Sequence, residues 1–306
     1  MKVLIATEKP FAPKAVEAMR KEIEGAGLEL ALLEKYTSRE QLEEAVATAD
    51  ALIVRSDIVD AALIAKAPLL KVIVRAGAGY DNIDLAAAKE RGIVVENTPG
   101  QNSRAVAELV LGMAIMASRN NYDGTTGSEI SGKRVGLQAF GQVSRNVAKV
   151  LEGFGCKVSA IDPFCPAEVI EQAGVAVAAS LPELYAGNDI VSIHIPATPQ
   201  TIGSIGRELI ESMPKNAVLI NTARKEVINE AELAQALENR TDLKYFADVK
   251  PGNADELRER FGARVFFTPK KCGAQTREAN MNAGIAAARQ TVAYLTGGEV
   301  RFQVNK

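Results

Sequence analysis

Tryptophan, cysteine and histidine are scarce in this chain, and each scarcity narrows what it can do. Tryptophan is absent and aromatic residues total 5%, which leaves little material for stacking on nucleic-acid bases. Three cysteines, Cys156, Cys165 and Cys272, stand at irregular spacing. That pattern suits neither a disulfide framework nor a metal site of the zinc type, and it fits a reducing cytoplasmic setting. No apolar run is long enough to span a membrane, and strand-like sequence begins at Lys2, so no signal peptide is expected. A formal net charge of −2 gives no reason to expect nucleic acid or an anionic membrane as partner. The single histidine, His194, ends the apolar run Asp189-Ile-Val-Ser-Ile-His194-Ile-Pro196, so the usual side chain for proton transfer near neutral pH exists at one strand end only.

What is present is ordinary for a soluble globular protein, with 47% apolar and 24% charged residues. A length of 306 residues exceeds one typical core and predicts two domains. Short Val/Ile/Leu-rich runs alternate with stretches of helical period, the signature of parallel sheets flanked by helices. The first series has strands expected at Lys2–Ala6, Leu28–Leu33, Ala51–Val54, Lys71–Val74 and Gly92–Val95, with helices over Ala12–Ala26, Ser38–Thr48, Ala61–Ala65 and Ile83–Arg91. The second has strands expected at Val135–Gln138, Lys157–Ile161, Ile190–His194, Ala217–Asn221, Lys244–Asp248 and Val265–Phe267. Six strands in that order match a dinucleotide-binding sheet. Helical patterns at Ala105–Ser118 and Arg277–Leu295 flank this series, and Asn120–Ser131, rich in Gly, Thr and Ser, reads as a linker. The expected class is α/β, with two doubly wound Rossmann-like domains and a cleft between them. Residues 1–100 plus about 284–306 would form a flavodoxin-like substrate domain, and 101–283 the nucleotide domain.

A glycine-rich turn follows the first strand of the second series, in the form Ala139-Phe-Gly141-Gln142-Val143-Ser144. Gly141 holds the position where backbone must approach a pyrophosphate, and the helix starting at Gln142 offers free N–H groups to it. Ala139 and Ser144 replace glycines with small side chains, which implies modest strain. Asp162 ends the next strand about twenty residues on, where a carboxylate accepts ribose hydroxyls and repels a 2′-phosphate; that favours NAD over NADP.

The motifs Arg75-Ala76-Gly77-Ala78-Gly-Tyr-Asp-Asn-Ile-Asp84, Asn97-Thr-Pro-Gly-Gln-Asn102, Val106-Ala-Glu108, Gly132-Lys133, His194-Ile-Pro196, Asn221-Thr222-Ala223-Arg224 and Asp248-Val249 resemble the D-2-hydroxyacid dehydrogenase family. They run in family order from about residue 50 to 280. With Val54-Arg55-Ser56, the N-terminal region is most similar to the phosphoglycerate dehydrogenase branch, in a short form without a C-terminal regulatory domain.

The resemblance implies an oxidoreductase in which Arg224 grips a substrate carboxylate and polarises the carbonyl, a task for a planar fork donor. Arg55 and Arg75, with Ser56, would hold a phosphate, and the backbone of Ala76, Gly77 and Ala78 with Asn102 the carboxylate. Gly141, Gln142, Val143, Asp162, His194, Pro196, Thr222, Ala223, Arg224 and Asp248 would surround NAD. A homodimer through the nucleotide domain is implied as well. The alternatives are a glyoxylate or hydroxypyruvate reductase type of enzyme and a non-catalytic NAD-binding regulator.

The family's proton machinery, a histidine polarised by a glutamate, is missing. Asn253 stands at the glutamate position. The histidine position falls on Lys270 counted from the upstream strand and on Lys271 counted back from the helix, so both lysines are candidates for the acid/base. A lysine amine has a reference pKa of about 10.4, and burial or nearby positive charge lowers it. Loss of the glutamate is consistent with such an exchange, since a carboxylate would hold the amine in its charged form.

Overall fold

A computed structural model describes all 306 residues, which form two compact units. The first is built from Met1–Asn102 and Gln275–Lys306, the second from Ser103–Ala274.

In the first unit the chain alternates β1 (Lys2–Thr7), α1 (Pro13–Gly25), β2 (Glu29–Glu34), α2 (Arg39–Val46), β3 (Ala51–Val54), α3 (Ala61–Ala65), β4 (Val72–Arg75), α4 (Leu85–Glu90) and β5 (Val94–Asn97). The five strands pair in parallel in the order β2-β1-β3-β4-β5, which is flavodoxin-like. All four residues of β3 are buried, as expected of a central parallel strand covered on both faces. Helix starts follow local chemistry: Asp60 and Asp84 accept the amides of Leu63 and Ala87 at 2.9 and 3.0 Å, and Gln41 reaches back to the amides of Thr37 and Ser38.

The second unit opens on α5 (Ser103–Ser118) and continues β6 (Arg134–Gln138), α6 (Gln142–Glu152), β7 (Lys157–Ile161), α7 (Ala167–Glu171), β8 (Ala176–Val177), α8 (Leu181–Gly187), β9 (Ile190–Ile193), α9 (Arg207–Ser212), β10 (Val218–Asn221), α10 (Glu230–Asn239), β11 (Lys244–Ala247), α11 (Ala254–Phe261) and β12 (Val265–Phe267). Its sheet is parallel in the order β12-β11-β10-β9-β6-β7-β8. Counted within the unit this is the doubly wound order 3-2-1-4-5-6 extended by one edge strand. The switch point lies between β6 and β9, the strands that carry the glycine turn and His194 at their ends.

Three sequence expectations are corrected. The sheet has seven strands, because Ala176–Val177 pairs with Ser159 and Ala160 on β7; two residues are too few to show a period. Helix α11 has no counterpart among the expected elements, because only Leu257 and Phe261 form its buried stripe beside Ala254 and the rest is charge. The segment 120–131 lies inside the second unit. Asn121 donates to the Ala263 carbonyl at 2.7 Å, Ile130 is buried, and Ser128 N–H returns to Ser118 at 2.8 Å.

The last helix, α12 (Arg277–Gly297), belongs with the first unit from its first turn, so the chain re-enters that unit at Gln275 rather than near 284. Asn280 accepts from Arg55 at 2.6 Å, and Arg289 pairs with Glu22 of α1 at 2.7 Å. Gly284 lets the helices close: a Cβ there would sit 2.8 Å from Met19 Sδ and 3.2 Å from the Phe11 ring. No helix of the chain is long and apolar enough to cross a membrane. Gly284→Leu is expected to overpack this contact and lower stability by about 1–3 kcal/mol, read as a reduced urea midpoint; an unchanged midpoint would show that the α1–α12 packing is loose.

Candidate active site

The glycine turn follows β6. Ala139 takes φ +84°, a left-handed conformation that its methyl disfavours. Three contacts hold the turn there. Ala139 N–H donates to Ile161 O at 2.8 Å, Phe140 N–H donates to Asp162 Oδ2 at 2.7 Å, and Arg145 Nε donates back to Phe140 O at 3.1 Å while its guanidinium lies over the Phe140 ring. The role of Arg145 is absent from the sequence expectations, although its place on the first turn of the helix is readable.

Gly141 precedes α6 without a side-chain cap, so the amides of Gln142 and Val143 at the helix start are available to an anion. A Cβ on Gly141 would meet nothing within 4 Å. The protein itself therefore does not require glycine here, and the open space suits a ligand that approaches the backbone. Ser144 is fully buried with its Oγ unpartnered, the cost of a hydroxyl where helix packs on strand. Asp162 uses one oxygen on Phe140 and the other on the Phe164 amide at 2.8 Å; its carboxylate first ties two turns together and keeps further lone pairs for hydroxyl donors.

His194 extends the ladder, donating its amide to Gln138 O at 3.0 Å. Part of the residue reaches the surface, yet its Nε2 is enclosed and unpartnered. Burial pushes the imidazole down to about 3, so the ring stays neutral through the physiological range. Pro196 is exposed nearby in sequence, and Thr222, at the end of β10, has an enclosed hydroxyl without a partner. Asn221 shapes the following loop by accepting the Ala223 amide at 2.9 Å and donating to Arg224 O at 2.9 Å.

Asp248 has a task that sequence did not foretell. It is buried, its Oδ1 accepts the Thr268 hydroxyl at 2.9 Å and the Cys272 amide at 2.8 Å, and its Oδ2 accepts the Gly273 amide at 2.8 Å. These bonds fix the loop that carries Lys270 and Lys271. Burial pushes the Cys272 thiol up, and the Asp248 contact adds to that push. Both lysines are exposed, but they differ in direction. Lys271 Nζ donates to Ala223 O at 3.4 Å, the same carbonyl that accepts Arg224 Nη1 at 3.0 Å. Lys270 makes no hydrogen bond to that carbonyl. Asn253 stands at the start of α11 with its amide 3.4 Å from Glu230 O, and Lys250 pairs with Asp255 at 3.2 Å on the surface.

The first unit holds the other expected residues. Arg55 and Arg75 lie at the ends of neighbouring strands β3 and β4, with different surroundings. Arg55 Nη1 donates to the carbonyls of Lys9 and Pro10 at 3.1 and 3.2 Å, Nη2 to Asn280 at 2.6 Å, and the guanidinium covers the Phe11 ring; burial lowers its proton affinity. Arg75 folds over Gly77, whose φ of +153° suits glycine: a Cβ there would lie 1.3 Å from Arg75 Nη1. Of the three expected carboxylate-binding amides, Ala76 N–H donates to Val54 O and Gly77 N–H to Arg75 O, both at 2.8 Å. These two are thus taken by backbone carbonyls of β3 and β4, and of the three only the amide of Ala78 remains for a ligand. Ser56 is exposed and Asn102 half-buried. Asp57, overlooked in the sequence, is buried and accepts Glu8 N–H and Tyr36 Oη at 2.8 Å and Arg55 N–H at 3.2 Å.

As the chain's sole imidazole, His194 gives an isolated NMR titration. Its Cε1–H resonance is expected to stay fixed from about pH 5 to 8, and a midpoint near 6.5 would show instead a solvated ring. Because its folded value is depressed from 6.5 to about 3, His194 weakens the fold only as pH falls below 6.5 toward 3.

The sequence profile of the D-isomer specific 2-hydroxyacid dehydrogenase catalytic domain matches residues 3–305. The D-3-phosphoglycerate dehydrogenase of Methanocaldococcus jannaschii is 37% identical over 286 residues, covering 88% of this chain and 54% of that protein. This chain thus spans little more than half the length of that curated relative. The hydroxypyruvate reductase of Thermotoga maritima is 34% identical over 277 residues, covering 84% of this chain and 88% of that protein. The crystal structure of NAD+-bound 3-phosphoglycerate dehydrogenase from Entamoeba histolytica superposes with a TM-score of 0.89 at 43% identity, covering 100% of this chain and 99% of that one. With its two parallel-sheet units and a profile match over nearly its whole length, this chain belongs to the D-2-hydroxyacid dehydrogenase family.

Proposed function

We propose that this chain is an NAD-dependent dehydrogenase that oxidises D-3-phosphoglycerate to 3-phosphohydroxypyruvate, the first step of serine biosynthesis, with Lys271 as the proton carrier. The observation that carries the lysine assignment is the convergence of Lys271 Nζ and Arg224 Nη1 on one carbonyl, that of Ala223. The open space over Gly141, the uncapped start of α6 and the acid at Asp162 fit NAD. When bound, NAD accepts the hydride from the carbon that bears the hydroxyl.

The residues of the chain supply the rest. Gln142 and Val143 offer amides to the pyrophosphate, and Asp162 offers oxygens to ribose hydroxyls. Arg224 holds the substrate carboxylate through its planar fork. The Lys271 amine takes the hydroxyl proton during oxidation and returns it during reduction. Asn253 stands where the family carries a glutamate, and a carboxylate there would hold the amine in its charged form. Arg75, folded on the Ala76–Ala78 loop, supplies positive charge for the phosphorylated substrate. A homodimer through the apolar helix α5 accompanies this reading.

One observation favours a second reading. The donors of Arg55 are engaged with Lys9, Pro10 and Asn280, which leaves fewer N–H groups for a phosphate than an unengaged guanidinium would offer. A hydroxypyruvate or glyoxylate reductase needs no phosphate contact.

NADH absorbance decides among these. Phosphoglycerate with NAD is expected to give signal that rises above neutral pH as free amine accumulates, and hydroxypyruvate turnover alone would select the reductase. No turnover of any 2-hydroxy or 2-oxo acid at alkaline pH would select a non-catalytic NAD-binding protein. Lys271→Ala is expected to lower kcat by about 10²–10⁴ with NAD affinity retained, while Lys270→Ala stays near the parent rate. A Lys271→Ala enzyme of normal rate would remove Lys271 from the mechanism. Arg75→Ala is expected to raise KM for phosphoglycerate by about tenfold or more; an unchanged KM would exclude Arg75 from phosphate binding.

A further inference from the structure

The glycine turn carries a methyl where its backbone conformation disfavours one. Ala139 sits at φ +84°, and an L-residue populates that left-handed region less than the right-handed one by a factor of about 5–30. Glycine would remove the penalty, so with alanine the turn depends on contacts that hold it against relaxation.

Those contacts act on Phe140. Its ring is 1% exposed and packed in the core of the second unit, so the turn can change only by rotating its peptide groups. Asp162 Oδ2 accepts the Phe140 N–H at 2.7 Å, and Arg145 Nε donates to the Phe140 carbonyl at 3.1 Å. Arg145 is itself placed from two sides. Its guanidinium lies 5.4 Å from the centroid of the Phe140 ring, and Nη2 reaches Cys165 Sγ at 3.7 Å. The Cys165 N–H in turn donates to Asp162 O at 3.3 Å. One side chain thus bridges the turn after β6 and the loop after β7.

The consequence is directional. The peptide between Phe140 and Gly141 is planar and trans, so its C=O and N–H point in opposite directions. Fixing the carbonyl on Arg145 therefore fixes the Gly141 N–H as well, and no group of the chain accepts that N–H. It directly precedes the amides of Gln142 and Val143 at the uncapped start of α6. Successive N–H donors held in one orientation form an anion-binding concavity.

We propose that Arg145 is a positioning residue for NAD: it touches the turn rather than the cofactor, and it holds the backbone from Ala139 to Gly141 in its phosphate-binding form despite the methyl of Ala139. The inference rests on the placement of the NAD pyrophosphate at Gly141 given above. Without the clamp the strained turn relaxes, and the apparent dissociation constant rises by the reciprocal of the fraction still competent to bind.

Fluorescence titration with NADH tests this without turnover, and circular dichroism checks folding. Arg145→Met keeps the length and helix propensity of the side chain and removes its donors; it is expected to raise the NADH dissociation constant by about tenfold. Arg145→Lys keeps a donor for the Phe140 carbonyl and is expected to recover part of that loss. Ala139→Gly relieves the strain and is expected to bind NADH as the parent does. In that background Arg145→Met is expected to cost about threefold or less, because the two positions are coupled. Equal losses in both backgrounds would mean that the guanidinium contacts the cofactor directly, and no loss in either would mean that the turn holds itself; both outcomes overturn the proposal. Gly141→Val separates this inference from the reading it rests on, since a Cβ there meets no protein atom within 4 Å. It is expected to fold and to lose NADH binding. Binding that survives Gly141→Val would place the cofactor elsewhere and overturn both, whereas its loss together with an unchanged Arg145→Met affinity would overturn the role of Arg145 alone.

Discussion

The geometry of the lysine loop hangs on one buried carboxylate. Asp248 gathers the Thr268 hydroxyl and the amides of Cys272 and Gly273, and Gly273 is tight against it, 2.9 Å from Asp248 Oδ2 to where a Cβ would stand. Burying a charge is costly unless donors meet it, and burying amides is costly unless acceptors meet them. Each requirement satisfies the other here. Asp57 does the same in the first unit, for Glu8, Tyr36 and Arg55. Both acids lie just past the ends of parallel strands, where the ladder stops and loop amides need new partners. A carboxylate with several lone pairs answers more than one of them. The loops that carry Arg55 and Lys271 are thus held by buried anions.

That division of labour bears on the missing histidine. In the reaction proposed for this chain, a lysine replaces an imidazole and Asn253 replaces the carboxylate that would sustain its charge. The remaining acids near the loops are occupied elsewhere: Asp248 with amides, Glu230 with the Gly252 amide, Asp255 with Lys250. Lys271 Nζ and Arg224 Nη1 meet at one carbonyl, that of Ala223. His194, the one imidazole, is enclosed at the switch point of the sheet, where it is neutral and inert as a proton carrier.

Much of the architecture was legible from sequence because parallel strands are buried on both faces and appear as unbroken apolar runs. Ala51–Val54 matches its observed bounds for that reason; Lys157–Ile161 and Val265–Phe267 match theirs too, though only partly buried. The strand β8 and the helix α11 were hidden, the first by its length and the second because charge outweighs a two-residue stripe. Local backbone was legible where a motif constrains it, as at Gly141 and Gly77. Partners distant in sequence were not legible. Arg55 finds Asn280 across 225 residues and Lys9 across 46, and no spacing rule predicts that its donors are spent there.

By itself, then, the amino-acid sequence determined the two α/β units, the glycine turn with its acid, the family motifs, and the absence of a histidine from the loop at Lys270 and Lys271. Local pattern suffices for these because they depend on neighbours a few residues apart. Only the tertiary structure decided that Lys271, and not Lys270, reaches the carbonyl bound by Arg224, and that Asp248 organises the loop rather than standing free. Adjacent residues on an irregular loop point in directions set by its backbone, and that backbone is set by a carboxylate more than twenty residues away.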